Sequence, residues 1–184
     1  MKIILVFVST LDGKVTKWGD PMVRSWSSQS DQEYFSKIWE DSTLTVMGSN
    51  SFKADPLKPS PKRLLVILTH HPSDYNKYQV PGQIEFTNET PTQLCSRLES
   101  EGHNQMLLVG GPLIASSFLK EKLVDELWLT IEPLIFGTGG NFVSEEKLDI
   151  ELRLLSCEKA NEKGTLFTKY AVTNITDLGK SGKP

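Results

Sequence analysis

Six consecutive apolar residues, Ile3-Ile4-Leu5-Val6-Phe7-Val8, stand almost at the start of the chain. A β-rich run with no polar position has no face to offer to water, so it reads as a central strand covered on both sides. It stops at Leu11-Asp12-Gly13-Lys14, a turn signal. Similar short runs follow at Leu44 to Met47, Leu64 to Leu68 and Met106 to Val109, with a shorter strand over Gln83 to Phe86. Helical patterns separate them. Ser28-Gln29-Ser30-Asp31 has the form that opens a helix, and Tyr34, Phe35, Ile38 and Trp39 follow at helical spacing to about Asp41. Ser49 to Lys53 starts a short helix stopped by Asp55-Pro56. Thr90 to Glu101 is helical with Gly102 as its stop, and Pro112 takes a first helical position in a helix running to about Lys120. Strands alternating with helices imply a mainly parallel sheet covered on both faces, with ligands at the carboxyl ends of the strands.

The remaining segments change character. Glu126 to Ile131, Leu148 to Leu155 and Thr165 to Val172 read as strands without intervening helices, which predicts antiparallel strands added at one edge. The expected fold class is therefore α/β, a three-layer sandwich with a central mixed, mostly parallel sheet. A length of 184 residues predicts one domain, placed at residues 1–176, with residues 177–184 as a flexible tail.

Composition narrows the function classes. The net charge of −3 argues against a nucleic-acid binder working by bulk charge, yet leaves room for a local pocket for a phosphorylated small molecule. The longest apolar run is six residues, against about 20 for a membrane span, so no membrane partner is expected. The same run is too short for a secretory signal, and a cytoplasmic location is expected. Cys95 and Cys157 show no metal spacing and are expected as free, mostly buried thiols.

Two strand ends carry small residues suited to phosphate. Gly48-Ser49-Asn50-Ser51 follows the second strand, and Val109-Gly110-Gly111-Pro112 lies between a strand and a helix. Backbone N–H groups at a helix start bind anions, and glycine permits close approach. Each is equally a tight strand-to-helix turn. Thr69-His70-His71 ends the third strand and is either a holder of a ribose 2′-phosphate or an exposed turn before Pro72. Asp31 is either the acid of a capping box or a buried proton donor. The loop with Trp18 and Trp26 either covers a ligand or packs on the sheet. No metal site is expected, because the neighbouring His70 and His71 diverge and no carboxylate stands at ligand spacing.

Four segments taken in order resemble the dihydrofolate reductase-like superfamily, most closely the reductase domain of riboflavin biosynthesis and its stand-alone relatives. They are Ser9-Thr10-Leu11-Asp12-Gly13-Lys14, Ser28 to Asp31 with Phe35, Val46-Met47-Gly48-Ser49-Asn50-Ser51-Phe52, and the long block from Leu108-Val109-Gly110-Gly111-Pro112 through Val124-Asp125-Glu126-Leu127 to Pro133 and Gly137-Thr138-Gly139. The resemblance implies an NADPH-dependent oxidoreductase that hands hydride to a small heterocyclic or ribosylamino-pyrimidine substrate, assembled as a homodimer. It implies Gly48, Ser49 and Ser51 on one side of the pyrophosphate and Gly110, Gly111, Leu113 and Ile114 on the other. Thr69 and His70 fall at the adenosine 2′-phosphate, and Ser9 and Thr10 beside the nicotinamide. Asp31 falls at the substrate-facing catalytic carboxylate, with Asp12 and Phe35 also on the substrate side. Two positions depart from the family pattern: Val109 replaces a common acid and Ser49 a common arginine. A paralogue with another substrate and a non-catalytic NADPH-binding module are the rival readings.

Overall fold

A computed structural model describes residues 1–173. The tail expected at residues 177–184 and the last three residues of the expected domain lie outside them. The strands are β1 (Lys2–Thr10), β2 (Leu44–Gly48), β3 (Leu64–Leu68), β4 (Ile84–Thr87), β5 (Gln105–Val109), β6 (Glu126–Glu132), β7 (Glu151–Lys159) and β8 (Leu166–Thr173). The α-helices are α1 (Gln29–Asp41), α2 (Ser49–Ala54), α3 (Pro91–Ser100) and α4 (Pro112–Lys120). The strands form a single sheet in the order β4-β3-β2-β5-β1-β6-β8-β7.

β1 lies between β5 and β6 and pairs in parallel with both. This accounts for its unbroken apolar run. Alternate side chains enter two separate cores, so neither face tolerates a polar residue. Ile3, Leu5 and Phe7 join Leu94 and Leu98 of α3 and Ala115, Phe118 and Leu119 of α4. Ile4 and Val6 join Met47, Ile67 and Phe52, against which Phe35, Ile38 and Trp39 of α1 pack. Helices on both faces of the sheet make the expected three-layer, dihydrofolate reductase-like architecture.

One of the late strands corrects the sequence reading. β6 runs parallel to β1, because α4 carries the chain from β5 across β1 and makes β6 the end of a strand–helix–strand crossover. The reversal comes one strand later, where β8 pairs antiparallel with both β6 and β7. A second difference is a 3-10 segment at Pro72–Tyr78, where the sequence shows only a polar turn. Its Tyr75 is buried and stacks on Phe86 with ring centroids 4.6 Å apart. The thiols differ as well, since Cys95 is half-buried but Cys157 is exposed on β7.

The loop after β1 is held by the loop after β6. Leu11 N–H donates to Leu134 O and Val15 N–H to Gly140 O. Asp12 accepts from the Phe136 and Gly137 N–H groups at 3.2 and 2.7 Å. At Gly139 a side chain would collide with the Thr16 carbonyl, so only glycine lets the two backbones come this close. Two segments of the sequence pattern, Asp12-Gly13 and Gly137-Thr138-Gly139, are thereby the two halves of one clasp.

Candidate functional site

The carboxyl ends of β1, β2, β3, β5 and β6 share one edge of the sheet, and the residues singled out in the sequence lie along it. The turns after β2 and β5 touch. A Cβ on Gly110 would stand 2.8 Å from Ser51 Oγ, and one on Gly48 would stand 2.9 Å from Ile114 Cγ1. Gly110 and Gly111 both have positive φ, +77° and +76°, so glycine is required there by conformation, and at Gly110 also by space. α2 and α4 start in these turns, at Gly48 and Gly111, and neither start is capped by a side chain. Their first N–H groups therefore remain available, at the positive end of each helix. The Ser49 hydroxyl turns to Tyr75, and the charge-neutral hydroxyl of Ser51 completes a cradle suited to a bridging phosphate group. It contains no guanidinium, since Ser49 stands where an arginine is common.

The neighbouring strand ends flank this cradle. Ser9 and Thr10 are buried, and their Cα partners across the sheet are Ile131 and Glu132. Thr69 is half-buried and its hydroxyl accepts from His71 N–H at 3.3 Å, while the His70 side chain is exposed. Leu113 is 68% exposed at the start of α4, and Leu11, Trp18 and Ile135 are also exposed in the loops after β1 and β6. The two tryptophans of the long loop differ. Trp26 packs edge-on against Phe136, whereas Trp18 faces outward with Lys17 over its ring.

The three residues expected on the substrate side, Asp12, Asp31 and Phe35, do three different things. Phe35 is half-buried in the layer between α1 and the sheet, tilted against Trp39. Asp12 uses both oxygens inside the protein. Thr10 Oγ1 donates to it at 2.5 Å, and this bond, with the Gly137 and Phe136 N–H groups, holds its carboxyl below the usual range. Asp31, in the first turn of α1, is 6% exposed. Burial raises its carboxyl above the ordinary aspartate value, and the nearby Glu132 charge adds to the rise. The Thr130 and Ser27 hydroxyls oppose it by favouring the ionised form.

Sequence reading passes over Thr130, Glu132 and Thr165, which enclose this end of α1. Glu132 is 3% exposed, and it accepts from Ser28 N–H at 2.8 Å and from Thr165 Oγ1 at 2.6 Å. The sequence does hold a signal for two of them. Thr130 and Glu132 are polar residues at i and i+2 on one face of β6, at the end of the strand away from Glu126. Trp26 Nε1, close to Asp31 in sequence, is buried without a hydrogen-bond partner. A surface recess of about 320 Å³ lies elsewhere, between α2 and the 3-10 segment, and contains none of the strand-end residues. Among the described residues no cluster of histidine, cysteine or carboxylate side chains could hold a metal ion. Nor is any helix among them long and apolar enough to cross a membrane.

A mixed sheet with two helix starts left uncapped by side chains at its carboxyl edge, and a buried acid at the same edge, places this chain among the α/β domains. The model of the RibD C-terminal domain family matches residues 1–166, and the chain belongs to that family. An uncharacterized Bacillus subtilis protein, YwjB, is 24% identical over 163 residues, 83% of this chain and 88% of its own. A putative riboflavin biosynthesis protein from a Shewanella species superposes with a TM-score of 0.71 at 19% identity, over 95% of this chain and 100% of its own. A pyrimidine reductase-like protein of Corynebacterium diphtheriae gives 0.73 at 15% identity, over 94% and 92%. The deaminase/5-amino-6-(5-phosphoribosylamino)uracil reductase of Thermotoga maritima gives 0.72 at 16% identity over 94% of this chain, which spans 56% of that protein's length. These likenesses establish the fold, the dihydrofolate reductase-like sheet with its antiparallel addition at the C-terminal edge.

Proposed function

We propose that the protein is an NADPH-dependent reductase that delivers hydride to a C=N or C=O group of a small heterocycle, of the ribosylamino-pyrimidine type named for the Thermotoga relative. The observation that carries the reading is the contact of the Ser51 turn with Gly110-Gly111, two uncapped helix starts meeting at one sheet edge. These residues fit a pyrophosphate. NADPH supplies the hydride when bound. The chain's own part is to bind the phosphates at the N–H groups of α2 and α4 and to wall the nicotinamide with Ser9 and Thr10. Asp31 offers its buried carboxyl, whose hold on a proton burial strengthens, as the acid for the substrate atom that becomes basic on reduction. Val109, in place of the acid common there, favours a related ring of that type over the pathway intermediate itself. The proposed setting is the cytoplasm.

The end of β3 carries Thr69 and His70 and no carboxylate for a ribose 2′-hydroxyl. NADPH is therefore expected to bind at least about tenfold more tightly than NADH, about 1.4 kcal/mol. Paired fluorescence titrations check this, and equal affinities would remove the 2′-phosphate from the reading.

Self-association is the second expectation. Among the described residues β7 ends the sheet with one unpaired edge and presents Leu152, Leu154 and Leu155, exposed by 43%, 53% and 43%. A long apolar edge strand invites a partner strand, and a second copy offers a matching one. Light scattering at micromolar concentration should give twice the chain mass of 20.6 kDa, and Leu154→Lys should return the monomer. A monomeric wild-type protein would overturn the pairing.

A further inference from the structure

The Ser28-to-Asp31 motif in α1 looks like a capping box, and α3 shows what a complete one does in this chain. There Thr90 Oγ1 accepts from Gln93 N–H at 3.3 Å, and Gln93 Oε1 returns to accept from Thr90 N–H at 3.0 Å. In α1 the first half is present, with Asp31 N–H donating to Ser28 Oγ at 3.2 Å. The second half is not made by Asp31. The Ser28 N–H donates instead to Glu132 Oε1, from the end of β6, 104 residues away. A capping acid is ordinarily drawn to that N–H, the nearest unpaired donor at the helix start.

We propose that Glu132 is a positioning residue for Asp31: by occupying the Ser28 N–H it keeps the Asp31 carboxyl out of the cap and free to face Thr130, Ser27 and the substrate. The role given to Asp31 rests on the reductase reading above, but the displacement itself is a property of the free protein. Glu132 is well held for the task. Its second oxygen accepts from Thr165 Oγ1, and Asn161 Nδ2 donates to the same hydroxyl at 2.9 Å and to Ser30 Oγ at 3.2 Å. The turn before β8 thus braces the acid from the side opposite α1. An ordinary ionic partner does not explain its burial, because Lys or Arg makes no salt bridge with it among the described residues. Two carboxyl groups in one nearly dry cluster disfavour double ionisation. The arrangement therefore also helps Asp31 retain a proton. The groups that act on Asp31 are Glu132 and Thr130 from β6 and Ser27 from the turn before α1.

The test is carboxyl and amide NMR of the cofactor-free protein across pH, for wild type, Glu132→Ala and Glu132→Gln. In Glu132→Ala the Ser28 N–H loses its acceptor and Asp31 is expected to close the box. Asp31 should then bind its proton roughly tenfold more weakly than in wild type, or weaker still. The Ser28 amide resonance should follow the Asp31 titration, which it does not do in wild type. Glu132→Gln keeps an acceptor for Ser28 and removes the charge, so proton binding at Asp31 should weaken while the Ser28 amide stays bonded and independent of Asp31. This variant preserves the test if Glu132→Ala does not fold. The Asp31 titration shifts in both variants from loss of the Glu132 charge alone, so the deciding readout is the Ser28 amide: a Ser28 resonance in Glu132→Ala that stays independent of the Asp31 titration overturns the proposal. Loss of NADPH binding in all three proteins would instead count against the reductase reading and leave these titrations readable.

Discussion

Ser51→Asp is expected to weaken NADPH binding by about 100-fold and to leave the melting temperature nearly unchanged. Ser51 is the point where the turns after β2 and β5 meet, and its Oγ lies 3.7 Å from where a Cβ on Gly111 would be. A carboxylate there places a like charge about 5 Å from any phosphate held by the two helix starts, and at an effective dielectric of about 20 that repulsion is about 3 kcal/mol. Such a loss is roughly two powers of ten in affinity. The free protein bears little of this cost, because a negative charge near the starts of α2 and α4 is favourable to both helices. Ser51→Ala supplies the control and should cost no more than one hydrogen bond, about 1 kcal/mol. Fluorescence titration and a melting curve on each variant check the prediction; unchanged NADPH affinity in Ser51→Asp would remove the glycine turns from the site. Substituting the glycines is a poorer experiment. Gly110 and Gly111 both need positive φ, so a side chain there strains the backbone whether or not a phosphate ever binds.

Asp31→Asn should reduce turnover by about 100-fold or more, the usual range for loss of a positioned proton donor, with NADPH affinity unchanged. Its effect on stability should be opposite in sign to that of losing a cap. The cap N–H at Ser28 belongs to Glu132, so exchanging the Asp31 carboxyl for an amide forfeits no capping bond. The Asp31 carboxyl is held above its ordinary value by burial. The folded protein therefore binds that proton more tightly than the unfolded chain does. Stability from this group is complete below the ordinary aspartate value and is lost as pH rises through the raised one. Above that window the buried acid is a cost that asparagine does not carry. Asp31→Asn should accordingly melt at or above wild type at about pH 8, and its advantage should shrink as pH falls toward about 4. Melting curves at the two pH values and one progress curve separate the outcomes. A variant less stable than wild type at both, with normal turnover, would make Asp31 a cap residue after all.

Most of the edge that carries the site is legible in local residues. Strand β1 announces itself by six apolar positions, Ile3 to Val8, and the turns at Gly48 and Gly110-Gly111 by small residues between a strand and a helix. The signals are local because a strand end and a helix start are each specified within a few residues of chain. The roles of Asp12 and Phe35 are not legible in that way. Asp12 binds the loop after β6, and Phe35 fills the layer beneath α1.

The direction of β6 escapes the sequence for a related reason. Its residues are those of a strand, but its direction is set by α4 crossing over β1, which no property of Glu126 to Glu132 records. The state of Asp31 is a still clearer case. Ser28 and Asp31 have the spacing of a closed capping box, and the sequence alone supports that outcome as well as an open one. Glu132 decides between them through a hydrogen bond spanning 104 positions. That bond exists because parallel pairing sets Glu132 beside Thr10 at the carboxyl end of the sheet, where the chain enters α1. Local spacing states which bonds a segment is able to make. Which of them forms depends on the competing donor or acceptor that the sheet order brings alongside, since a single N–H in a buried helix start satisfies only one carboxylate at a time.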